Sequence, residues 1–140
     1  MPRVVAIDPG TRRVGIAVSD ETALIAQPLR AIDAEPLTTL VARLAAIVSE
    51  LGGSEIVVGL PRRLDGSLGP EAKRARELTE ELRRQTRLPV ALVDERLSTA
   101  AAERSLLATG RRRAQRRREV DAVAAALILE TYLAQRSRRG

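Results

Sequence analysis

The chain has 140 residues, no histidine, no cysteine, and a net charge of +6 carried almost wholly by arginine, since Lys73 is the only lysine. Those absences exclude a Ser-His-Asp triad, a Cys-His pair, thiolate or imidazole zinc, and a GxxxxGK[ST] phosphate loop. They leave carboxylate chemistry, best served by a hard metal ion, and a basic surface that suits a polyanion.

The length suits one compact domain, expected over residues 1–136 with a basic tail at 137–140. The longest apolar run, AVAAALIL at 122–129, is far too short to span a bilayer. An acid arrives at Asp8 before any signal-peptide core could form, so the expectation is a cytoplasmic protein with no membrane partner.

The first three segments, 3–7, 14–19 and 24–32, alternate or are β-branched and are joined by tight connections, which predicts an antiparallel three-strand meander. Strand one stops on Asp8 and turns through Pro9 and Gly10. Taken alone, Asp8 reads equally well as a turn former. Thr11, Arg12 and Arg13 follow in the turn, where they could hold a phosphate or simply face solvent.

The period then changes. In PLTTLVARLAAIVSEL (36–51), Leu37, Leu40, Val41, Leu44, Ile47, Val48 and Leu51 fall at helical spacing, and Gly52-Gly53 end the helix. EIVVGL (55–60) is a short apolar strand of the buried, parallel kind. The loop GLPRRLDGSLGP (59–70) carries Arg62 and Arg63 and reads either as a surface connection or as a segment that closes over a substrate.

Pro70 opens a second helix with a narrow stripe of Ala72, Ala75, Leu78 and Leu82. PVALVDER (89–96) is another buried strand that ends on Asp94 and Glu95, which on their own suit a salt bridge to Arg96. Ser98 or Thr99 caps a short helix to Thr109, closed by Gly110.

The block RRRAQRRR sets Arg111, Arg112, Arg113, Arg116, Arg117 and Arg118 within eight residues, a density that points to nucleic-acid phosphates rather than solvated decoration. Tyr132 is the only aromatic residue, so a base-stacking platform is excluded and recognition rests on phosphates and shape. The last helix is expected over about 119–135, with Asp121 in line with Ala124, Ala125, Ile128 and Tyr132 and so turned inward. A first-turn acid is ordinary helix-dipole stabilisation; an inward one is not.

The pattern βββαβαβαα predicts a mixed five-stranded α/β sheet, three antiparallel strands then parallel ones, flanked by helices. If strands one and five are neighbours, Asp8 and the Asp94–Glu95 pair meet at one sheet edge, with Asp121 as the third candidate. Clustered carboxylates repel unless protonated or neutralised, and a pair of hard divalent ions, Mg²⁺ or Mn²⁺, neutralises them while activating water for phosphodiester hydrolysis.

AIDPGTRRVGIAVSD, VVGLPRRLDGSLGPEA, VDERLSTAAAE and EVDAVAAALILETYL together resemble the successive signatures of the YqgF/RuvX family, nearly end to end. The resemblance implies a ribonuclease H-like fold and a nuclease related to Holliday-junction resolvases, assigned in bacteria to processing the 5′ end of precursor 16S ribosomal RNA. Carried over residue by residue, it implies an acidic triad of Asp8, Glu95 and Asp121, with Asp94 left as a secondary acid.

Two other classes account for part of the pattern. An actin-like ATPase uses a similar DxGT turn but needs a second lobe that 140 residues do not supply. A non-catalytic, ribosome-associated RNA-binding protein would explain the arginines and treat the acids as salt-bridge partners. Precursor ribosomal RNA is favoured over branched DNA as substrate, and a monomer over a homodimer, because the helices spend their apolar stripes on the sheet and no large aromatic residue is left to anchor an interface.

Overall fold

A computed structural model describes residues 3–63, 65–95 and 113–139; the side chains of 113–119 and 137–139 are outside the description. Its centre is a five-stranded sheet in the order β3-β2-β1-β4-β5. The strands are β1 (Val4–Pro9), β2 (Arg13–Ser19), β3 (Ala26–Asp33), β4 (Glu55–Leu60) and β5 (Val90–Asp94). β1, β2 and β3 form the expected antiparallel meander, while β4 runs parallel to both β1 and β5.

The helices are α1 (Leu40–Glu50), α2 (Pro70–Thr86) and α3 (Arg113–Arg139). Side chains alternate along each strand, so the sheet has two cores. Val5, Ile7, Val14, Ile16, Ile56 and Val58 face α1 and α2, whereas Val4, Ala6, Ala17, Val57 and Val93 face α3. α3 meets that second face with Ala124, Ala125, Ile128 and Leu129, all essentially buried. Small alanines let a helix lie close to a sheet, which governs the site described below.

Several boundaries differ from those expected. The helix predicted from 36 begins at Leu40, after a 3-10 turn over Leu37–Thr39 that leaves Leu37 exposed. The third strand begins at Ala26 rather than 24, because Asp20 accepts hydrogen bonds from the backbone N–H groups of Leu24 and Ile25 at 2.9 and 2.8 Å and holds them in a loop. The last helix begins at Arg113, so the second half of the arginine block forms its first turns, and it runs to Arg139 through most of the expected tail. Arginine is a good helix former, and the block lacks any Gly or Pro that would stop the helix. Arg96, Arg111, Arg112 and the short helix expected up to Thr109 lie outside the described residues.

One topological expectation is corrected: β1 and β5 are not neighbours, because β4 lies between them. Each β-α-β unit adds its new parallel strand outside the previous one, so β4 separates the strand that ends near Asp8 from the strand that Glu95 follows. No helix among the described residues is long and apolar enough to cross a membrane.

Candidate active site

Strand parity decides which acids share a face. Asp8 continues the series Val4, Ala6; Gly59 follows Val57; Glu95 follows Val93; Gly15 and Arg13 precede Ala17. The strand positions among these point to the α3 side; Glu95 comes one residue beyond the end of β5 and is buried. Asp8 sits opposite Gly15 in the β1–β2 ladder, and the neighbouring Ile7 pairs with Val58, which brings Asp8 alongside Gly59. Gly59 in turn pairs with Val93.

Gly59 therefore lies between Asp8 and Val93, two residues short of Glu95, and Ile128 of α3 packs over it. A Cβ there would lie 2.7 Å from Ile128 Cδ1 and 3.5 Å from Asp8 Oδ1. Two strand spacings and a two-residue offset along the strands place Asp8 and Glu95 roughly 12 Å apart at their Cα atoms.

Gly15 performs a related task for the third acid. A Cβ on Gly15 would fall 2.0 Å from the backbone oxygen of Asp121, so α3 crosses β2 in direct backbone contact at that point. The Asp8–Gly15 pairing and the Gly15–Asp121 contact together carry Asp121 to the end of β1. Its side chain is about one-fifth exposed, and Asp8 and Glu95 are buried.

Arginines hold the outer positions. Arg13 Nε donates to Asp121 Oδ2 at 2.9 Å. Arg62 pairs with Asp94 through Nη2 at 2.7 Å, donates from Nη1 to the Gly66 carbonyl at 2.9 Å, and places its backbone N–H 3.4 Å from Glu95 Oε2. Arg62 was expected on substrate phosphates; its guanidinium instead ties the 61–69 loop to the end of β5. Asp94 is on the parity of Val90, which belongs to the α1/α2 side, and its partner is Arg62. Arg63 is exposed and lies against Gly69, where a Cβ would meet its Nε at 2.5 Å.

Thr11 and Arg12 are exposed in the turn after β1, which Gly10 closes by donating its N–H to the Arg13 carbonyl at 3.0 Å. Arg113, Arg116, Arg117 and Arg118 lie on the first turns of α3, upstream of Asp121 on the same element.

The donor types suit a hard divalent cation: carboxylates near the end of β1, beyond β5 and on α3, two of them buried, where charge requires compensation. Among the described residues, no three acidic side chains are gathered closely enough to hold a metal ion as they stand. Sequence reading found the acids but missed Gly15 and Gly59. Their signal was there, since a glycine inside an apolar strand marks a close approach of another backbone or a space kept clear.

The family model described as "RuvX: Holliday junction resolvase" matches residues 2–135. A protein of Geobacillus kaustophilus named "Putative pre-16S rRNA nuclease" is 47% identical over 133 residues, covering 94% of this chain and 96% of that protein. One of the same name from Moorella thermoacetica is 41% identical over 138 residues, covering 99% of each. The solved RuvC structure from Thermus thermophilus superposes with a TM-score of 0.60 at 17% identity, covering 97% of this chain and 96% of that one, which is a likeness of fold. With a family model spanning nearly its whole length and relatives at 41% and 47% identity, the chain belongs to the RuvX family and has a ribonuclease H-like fold.

Proposed function

We propose that this RuvX-family nuclease hydrolyses phosphodiester bonds with divalent ions held by Asp8, Glu95 and Asp121, and that its substrate is precursor 16S ribosomal RNA. The observation that supports the reading is the Gly15 contact, which brings Asp121 on α3 to the end of β1 near buried Asp8, while Glu95 is buried just beyond the end of β5. Relatives at 41% and 47% identity that carry the pre-16S rRNA nuclease name support the substrate.

When bound, Mg²⁺ or Mn²⁺ would supply charge neutralisation and an acidified water. The chain supplies everything else. Asp8 and Glu95, anchored at strand ends, present oxygen donors from a rigid sheet, the kind of scaffold that keeps a site within the tolerance chemistry demands. Asp121 closes the third side from α3. Thr11, Arg12, Arg63 and the arginines at the start of α3 provide phosphate contacts, which orient a strand without reading its bases. All three acids come from one chain, so a monomer suffices to cut one RNA strand.

The family model's description favours a second substrate, a four-way DNA junction. Paired symmetric cuts there require two sites at fixed separation, usually in a twofold dimer. The experiment is to measure the protein's mass in solution and offer it Mn²⁺ with a precursor-leader RNA and with a synthetic junction. Asp8→Asn, Glu95→Gln and Asp121→Asn should each suppress RNA cleavage while leaving binding intact or tighter, since each removes a negative charge. Full activity of Asp121→Asn refutes the triad. A stable dimer that nicks the junction symmetrically and leaves the RNA whole refutes the substrate. A melting temperature that Mn²⁺ leaves unchanged favours a non-catalytic binding protein.

A further inference from the structure

We propose that Arg13 is a latch on Asp121: a resident guanidinium that must release this carboxylate before a divalent ion can take it, and that then turns to a substrate phosphate. The proposal rests on the reading that Asp8, Glu95 and Asp121 hold the ion.

Arg13 Nε reaches Asp121 Oδ2 at 2.9 Å, a charge-assisted hydrogen bond directed at one carboxylate oxygen. The two side chains are 20% and 18% exposed. At that burial water screens the pair incompletely, yet the guanidinium still has an open route outward. A lone pair given to a guanidinium is withheld from a metal ion, and two cations on one carboxylate repel each other.

The backbone on both sides of the latch is fixed. Arg13 lies two residues before Gly15, whose Cα packs on the Asp121 backbone oxygen, so neither main chain can retreat. Opening is therefore a side-chain event. Arg13 also sits in the turn that carries the exposed Thr11 and Arg12, so a released guanidinium stays beside the other phosphate contacts.

The test is a Mn²⁺ titration of the full chain without nucleic acid, with free Mn²⁺ read by electron paramagnetic resonance. Arg13→Gln should bind Mn²⁺ roughly tenfold more tightly than the wild type. Arg13→Ser carries the same expectation and replaces the Gln variant if that one does not fold. Asp121→Asn should bind more weakly, and adding Arg13→Gln to it should change affinity by less than about twofold, because the competition acts through the Asp121 carboxylate. Unchanged affinity in both Arg13 variants overturns the latch. So does an equal gain in the Asp121→Asn background, which would mark a general field of positive charge instead. If the wild type and Asp8→Asn bind Mn²⁺ alike, the metal reading itself fails and takes the latch with it.

Discussion

Gly15→Ala and Gly59→Ala are matched substitutions with unequal expected costs. Both glycines lie in strands, on the α3 side, at φ values alanine can adopt. Alanine at such a site gains about 0.4–1 kcal/mol by restricting the unfolded chain. At Gly59 the new methyl meets Ile128 Cδ1 at 2.7 Å, the far end of a side chain that can rotate, so an overpacking cost of about 1 kcal/mol leaves the change near neutral. At Gly15 the methyl meets the Asp121 carbonyl oxygen at 2.0 Å and its carbon at 2.6 Å, and neither strand nor helix backbone can rotate away. β2 and α3 must part by more than about 1 Å, which opens gaps along the alanine seam and puts the cost at about 3 kcal/mol or above. For a chain of this length that corresponds to a fall in melting temperature of roughly 10 °C. Urea and thermal unfolding of the two variants, followed by circular dichroism, measure the contrast. The reasoning is refuted if Gly15→Ala unfolds within about 0.5 kcal/mol of the wild type, or if Gly59→Ala proves the more damaging.

Two further outcomes follow from single features. The Asp20 carboxyl is held at about 2, below its ordinary 3.8, chiefly by the Thr22 hydroxyl and the Ile25 N–H it accepts from. A lowered folded value means that its hold on the loop is complete above the unfolded value and lost as pH falls through about 2, so the Leu24 and Ile25 amide resonances should titrate near that point; a midpoint at 3.8 contradicts the clamp. Replacing Arg113, Arg116, Arg117 and Arg118 with Gln should weaken binding to all sequences alike and flatten the log–log salt slope by about 0.9 per lost phosphate contact on duplex, and an unchanged slope would reduce the block to a solubility device.

The sheet was legible because its signals are local. Alternation in 14–19, the continuous apolar run at 55–60 and the Pro70 start of α2 each depend on a few neighbouring residues. What failed was long-range or competitive. No property of β1 or β5 announces that β4 will lie between them; strand order is decided by how the crossovers pack. The start of α3 was misplaced because a run of arginines reads as a phosphate-binding loop by charge and as a helix by propensity, and both descriptions hold for the same residues. Leu37 fits the apolar stripe by spacing, yet a 3-10 turn rotates it out of register.

The same contrast separates the two acids that end β5. In sequence, Asp94 and Glu95 are adjacent and interchangeable; in the structure Asp94 is the last residue of β5 and Glu95 lies just beyond it. Asp94 shares the parity of Val90 and finds Arg62 at 2.7 Å, which accounts for its charge without any ligand. Glu95 is buried just beyond the strand end. Arg62 touches both, by its guanidinium on one and its backbone N–H on the other. This ion pair fixes the strand end next to Glu95 through Arg62, while Arg96, the partner expected from the sequence, lies outside the described residues.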